Sequence, residues 1–246
     1  MMFFVTGGSR GIGEAIVLEA VRQGHDVAFT YLAQRERAAA VVDKARALDP
    51  QRQVAAYALD VRDPAAVETV GDRVLDEFGT VDVLVANAGV NLNGLVVSLS
   101  DADWKLVVDT NLTGTFYVCR HFLTTFLANG FGRIIIVSSL GASGVSGQAS
   151  YAASKAGLLG LSATLAKEYG RKGVTSNVVL PGFFDTDMTR DGMSAANRDF
   201  WLRYCPLGRV GELDEVSRVV LFLASDGASY INGQTIAVNG GLDWAP

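Results

Sequence analysis

The stretch Met1-Met2-Phe3-Phe4-Val5-Thr6-Gly7-Gly8-Ser9-Arg10-Gly11-Ile12-Gly13 decides the fold. An apolar run too short for a helix leads into a glycine-rich turn, and Glu14–Gln23 continues with helical periodicity. Gly7 suits the tight turn. Gly11 and Gly13 lack side chains, so backbone can approach a pyrophosphate and the helix can pack close to a sheet. The helix start adds free N–H groups and a partial positive charge. Ser9, Arg10 and Ile12 complete the turn, whose predicted ligand is a dinucleotide.

Outward from this unit the pattern repeats. Apolar runs at Asp26–Tyr31, Val54–Leu59, Val81–Ala86, Arg133–Val137, Val174–Leu180 and Thr235–Val238 read as buried strands. Helical patterns lie between them, among them Ala65–Phe78, Trp104–Ala128, Tyr151–Gly170 and Leu213–Ala224. Strand–helix alternation predicts an α/β fold: one doubly wound Rossmann-type domain over residues 1–246, with a seven-stranded parallel sheet and helices on both faces. Residues 1–90 are expected to serve mainly dinucleotide binding, 105–190 catalysis, and 183–207 a substrate lid. The 246 residues are 49% hydrophobic and 19% charged, which argues against disorder. A net charge of −5 offers no concentrated basic surface for nucleic acid. No apolar run approaches the roughly 18 residues that span a bilayer, and the two distant cysteines, Cys119 and Cys205, suit a reducing compartment. A cytoplasmic protein with no membrane partner is expected.

The second strand ends at Phe29-Thr30-Tyr31-Leu32, without the carboxylate that binds a ribose 2′-hydroxyl in NAD-preferring sites. Its absence permits NADP(H), and Arg10 can meet a 2′-phosphate with a charge-assisted contact, with Arg35 close behind. Asp60-Val61 follows the third strand; Asp60 reads equally as an acceptor for the adenine amino group and as an ordinary turn or cap aspartate. Asn87-Ala88-Gly89 ends the fourth strand at the ligand edge, where small residues admit a ribose against backbone.

The fifth strand ends at Ser138-Ser139, and Tyr151-Ala152-Ala153-Ser154-Lys155 opens a helix downstream. Residues i and i+4 share a helix face, so Tyr151 and Lys155 point the same way. Hydride addition to a carbonyl makes an alkoxide that needs a proton. A tyrosine can give it, a nearby ammonium favours the phenolate, and a serine hydroxyl can hydrogen-bond the developing oxyanion. No metal is expected at this site.

Together these residues resemble the short-chain dehydrogenase/reductase family over essentially the whole chain, and most of all its β-ketoacyl-[acyl-carrier-protein] reductases. Gly147–Gly157, Pro181–Thr189, Ile231–Thr235 and Val238–Gly241 carry the closer likeness. The resemblance implies NADPH-dependent reduction of a β-ketoacyl thioester, with Tyr151 as proton donor and Ser139 and Lys155 beside it. Asn111 is implied to hold a water in a proton relay with Lys155. Lys155 is also implied to bind the nicotinamide ribose, and Pro181, Gly182 and Thr186 to contact the nicotinamide end. A homotetramer is implied as well.

Three departures qualify it. Ala86 stands where the family usually has a second asparagine. The usual spacing of thirteen residues before the tyrosine selects Ser138, whereas matching the strand selects Ser139. A one-residue deletion is easier in the loop than in the strand, which favours Ser139. Carrier-protein reductases usually present basic residues before the fifth strand, but Leu127–Gly132 has none, while Arg171 and Lys172 before the sixth do fit. Phe183, Phe184, Met188, Met193, Phe200, Trp201 and Tyr204 suggest an apolar lid or ordinary packing. The rival readings are a dehydrogenase of a free alcohol, sugar or steroid, and a catalytically silent NADP-binding regulator. The four-residue Tyr151–Lys155 spacing disfavours an enoyl reductase, a branch that usually spaces this pair seven apart.

Overall fold

A computed structural model describes residues 1–187, 189 and 195–242, apart from the side chains of 195–197 and 200. Among the described residues, seven parallel strands form one sheet. They are β1 (Met2–Val5), β2 (Asp26–Tyr31), β3 (Val54–Ala58), β4 (Val83–Ala86), β5 (Gly132–Val137), β6 (Val174–Pro181) and β7 (Thr235–Val238), in the order β3-β2-β1-β4-β5-β6-β7. The expected architecture is therefore the observed one.

The central strands β1, β4 and β5 are almost wholly apolar because both their faces are covered. Phe3, Val5, Ile135 and Val137 face one core, packed by Ile16 and Val17 of α1 (Gly11–Arg22), Val41 of α2 (Arg35–Leu48) and Val220 of the helix Leu213–Ala224. Their neighbours Phe4, Ile134 and Ile136 face the opposite core. There Val74 of α3 (Pro64–Phe78), Phe122 and Phe126 of Gly114–Asn129, and Leu158 of Ala149–Tyr169 close over them. β1 pairs with β2 on one side and β4 on the other, so consecutive connections leave it in opposite directions. The crevice at that switch point, beyond the strands' carboxyl ends, is where such sheets bind ligands.

One element differs from the expectation. The helix predicted over Trp104–Ala128 is three pieces: α4 (Asp101–Val108), a π-helical turn (Asp109–Thr113) and α5 (Gly114–Asn129). The wide turn carries Asn111 inward, and Gly114 then sits so close to Val61 that an added Cβ would lie 2.7 Å from its Cγ2. The segment expected as a lid, a loop or short-helix region, holds a helix, α7 (Ala195–Tyr204). It follows α6 (Ala149–Tyr169) and precedes α8 (Leu213–Ala224). Met188 and Met193 lie outside the described residues, as does the side chain of Phe200. No described helix is long and apolar enough to cross a membrane.

Candidate active site

The glycine turn between β1 and α1 is shaped from two sides. Gly7 and Gly11 adopt positive φ of 69° and 56°. An added Cβ on Gly13 would lie 2.1 Å from the Gly7 carbonyl oxygen, so no side chain fits there. The Thr6 hydroxyl accepts from the backbone N–H of Asn87 and of Ala88, both at 3.0 Å. The Asn87 side-chain amide donates to the carbonyls of Thr6 and Gly7, again at 3.0 Å. Asn87 thus staples the fourth strand to the turn, while Ala86 is simply buried in the core. No side chain caps α1, so its leading N–H groups face the crevice.

That crevice is a cavity of about 600 Å³, within the usual range for a small-molecule site. Gly7, Ser9, Arg10, Gly11, Ile12, Gly13, Tyr31, Asp60, Val61, Asn87, Ala88, Gly89 and Thr186 all line it. The bare backbone at Gly13, the uncapped helix start and the cavity volume fit a dinucleotide pyrophosphate. Pro181 and Gly182 lie outside that lining: Pro181 pairs with Val238, and the Gly182 N–H donates to the Val238 carbonyl at 2.9 Å. Asp60 is engaged in a turn. It accepts from the Arg62 backbone N–H at 3.0 Å and takes the Arg62 guanidinium on both oxygens, which holds its carboxyl below the usual range. The cap of α3 is Asp63.

Beside the cavity, Ser139, Tyr151 and Lys155 converge. Ser138 and Ser139 point to opposite sides of the strand end, as the pleat requires. Ser138, buried, donates to the Lys155 carbonyl at 2.8 Å and so anchors α6. Ser139 accepts from the Gly141 N–H at 3.1 Å and lies beside the Tyr151 hydroxyl, whose proton affinity it lowers. Lys155 is 4% exposed and donates from Nζ to the Val137 carbonyl at 2.8 Å, with Nζ 5.8 Å from the Tyr151 ring centre. Burial pushes its pKa down to about 8. Burial also pushes the Tyr151 hydroxyl above its ordinary value, and the adjacent Ser139 pulls it back.

Asn111 is fully buried and triply bonded. Its Oδ1 accepts from the Val90 N–H at 2.8 Å, and its Nδ2 donates to the Val90 carbonyl at 2.9 Å and to Ser154 Oγ at 3.0 Å. It joins the strand-end segment to α6 one position from Lys155.

Other expected residues lie apart. Phe184 is core, packed against Gly211, while Phe183 stacks on Trp201 at 6.1 Å. Arg171 and Lys172 are exposed in the turn before β6, at the opposite edge of the sheet from Tyr151. Residues missing from the sequence reading are Arg62, Arg37 and Asp187; the last two pair across 150 positions, a separation with no local signal.

A family model described as enoyl-(acyl carrier protein) reductase matches residues 7–243. The 3-oxoacyl-[acyl-carrier-protein] reductase FabG of Staphylococcus aureus is 41% identical over 241 residues, covering 97% of this chain and 96% of the relative. The protein of the same name from Salmonella typhimurium is 42% identical over 239 residues, covering 97% and 95%. The solved structure of levodione reductase matches with a TM-score of 0.94 at 29% identity, covering 98% of this chain and 97% of that one. A doubly wound sheet with this cleft, and a serine, tyrosine and lysine gathered at its carboxyl edge, is the framework of an oxidoreductase. The chain belongs to the short-chain dehydrogenase/reductase family.

Proposed function

We propose that the protein reduces a β-ketoacyl thioester to the β-hydroxyacyl form with NADPH. The carrying observation is the convergence of Ser139, Tyr151 and Lys155 beside a dinucleotide-sized cleft, in a chain 41% identical to the Staphylococcus aureus reductase over nearly its whole length. The glycine turn from Gly7 to Gly13 would hold the pyrophosphate, Arg10 the 2′-phosphate, Asp60 and Val61 the adenine, and Asn87, Ala88, Gly89 and Lys155 the nicotinamide ribose. Pro181, Gly182 and Thr186 would meet the nicotinamide end. The bound cofactor supplies the hydride. Tyr151 gives its hydroxyl proton to the ketone oxygen, and Ser139 hydrogen-bonds that oxygen as charge develops on it. Lys155 places a cation behind the tyrosine, and Asn111 fixes the geometry around it.

Residues 1–90 then serve mainly the cofactor, 105–190 the chemistry, and 183–207 cover the substrate. An acyl carrier protein held by Arg171 and Lys172 would serve the site across a subunit boundary of a homotetramer, since these residues lie far from Tyr151 within one chain. A cytoplasmic setting suits the buried free thiols Cys119 and Cys205. The likeness to levodione reductase favours a second reading, reduction of a free ketone.

NADPH oxidation with acetoacetyl-CoA, followed by absorbance, tests the first reading, with NADH as a control. Turnover is expected with NADPH, and Tyr151→Phe is expected to lower kcat by about a thousandfold. No turnover despite NADPH binding would remove the thioester reading. A carrier-bound substrate running no faster than its short analogue would favour the free ketone.

A further inference from the structure

The outer corner of the cleft contains an anion of its own. Arg10 in the glycine turn and Arg37 in the first turn of α2 both ion-pair with Asp187, Arg10 at 3.6 Å. Asp187 reaches this corner from the segment that follows β6. Its neighbour Thr186 crosses the glycine turn, where a Cβ on Gly11 would meet its Cγ2 at 3.6 Å. Thr186 and Asp187 line the same cavity as Arg10. The carboxylate therefore sits on guanidinium groups near the end of β2, the corner where a dinucleotide presents its ribose 2′ position. Guanidinium groups bind phosphate in the same forked manner as carboxylate.

We propose that Asp187 is an internal competitor for the cofactor's 2′-phosphate and sets the margin by which NADPH is preferred over NADH. The proposal rests on the NADPH reading above. A 2′-phosphate must displace the carboxylate from Arg10 and Arg37, or share them with it; a dinucleotide without that phosphate leaves both pairs in place. The exchange also reaches the substrate side. Thr186 N–H donates to Thr189 Oγ1 at 2.9 Å, and Thr189 Oγ1 donates to the Phe184 carbonyl at 2.7 Å. Releasing Asp187 thus frees one end of a hydrogen-bonded turn rooted at the close of β6.

The test uses the nucleotide fragments that isolate this contact. Adenosine 2′,5′-bisphosphate and AMP are titrated by calorimetry into the wild type, Asp187→Asn and Arg37→Gln. In Asp187→Asn the bisphosphate is expected to bind about three- to tenfold more tightly, the scale of two partly exposed ion pairs, with AMP unchanged. In Arg37→Gln the bisphosphate is expected to weaken about fivefold, again with AMP unchanged. A wild type that prefers the bisphosphate by the same ratio as Asp187→Asn overturns the competitor and leaves the NADPH reading standing. A wild type that does not discriminate between the fragments overturns both. Loss of AMP binding in Asp187→Asn would make the ion pairs structural supports of the cleft and would likewise overturn the proposal. So would an unchanged bisphosphate affinity in Arg37→Gln.

Discussion

At the inner end of the cleft, Lys155 is 4% exposed and its ammonium rests on one backbone carbonyl. At the outer corner, Arg10 and Arg37 have side chains 45% and 53% exposed and share Asp187. Both places gather positive charge, but water treats them differently. The inner charge is desolvated, so its proton affinity moves and each hydrogen bond counts. The outer charges are screened, so each contact is weak and exchangeable. Groups that must change protonation state lie where burial can tune them, and groups that must admit and release a ligand lie where charge costs little to rearrange.

The sharpest way to break this comparison is at Lys155. Lys155→Met is expected to lower turnover by about a hundredfold or more. It should also change how stability depends on pH. The folded lysine loses its proton near pH 8, while the unfolded one keeps it to about 10.5. Between those values the unfolded chain binds more protons, so wild-type stability rises with pH. Relative to Lys155→Met, the wild type should gain up to about 3 kcal/mol across that window, measured by urea unfolding at pH 7.5, 9 and 10. A flat difference would mean that the inner lysine is not desolvated.

Asn111→Leu removes three hydrogen bonds, one buried and two partly buried, and leaves the Val90 N–H and carbonyl without their partner. A loss of about 2–3 kcal/mol in unfolding free energy is expected, against almost none for a polar substitution at Arg35 on the exposed start of α2. The smallest effect belongs to the outer corner. Arg10→Gln should reduce the preference for NADPH over NADH by about fivefold in low salt and by less at about 0.5 M salt. An effect untouched by salt would place Arg10 in a drier environment than the cleft mouth.

The sheet was legible because its central strands β1, β4 and β5 are buried on both faces, which leaves short apolar runs such as Arg133–Val137. The glycine turn was legible for a related reason: Gly13 and the Thr6–Asn87 staple leave little freedom at those positions. The π-helical turn was not, because Asp109–Thr113 reads as ordinary helix and its width comes from what Asn111 meets at Val90. The α2 helix carries a weaker signal because Arg35–Leu48 buries little more than Ala38, Val41 and Ala45, a narrow stripe in a polar segment. In the site, the Tyr151–Lys155 spacing was enough to put the pair on one helix face, and the easier deletion in the loop favoured Ser139 over Ser138. The desolvation of the Tyr151 hydroxyl had no signature in the sequence, since it depends on the walls around it and not on spacing. Arg37 and Asp187 were invisible because their meeting is made by the fold alone.

The Thr6 and Asn87 contacts bear on the order of synthesis. The glycine turn leaves the ribosome before its clamp does, because the hydrogen bonds that hold it come from residues 81 and 82 positions later. β1 also acquires its β4 neighbour only at that point. A nascent chain ending before residue 83 carries the complete glycine turn in its sequence without the clamp that shapes it. The turn's ability to grip a nucleotide is thus delayed until a long-range contact forms, and nucleotide capture during translation would mark the joining of the two halves of the sheet.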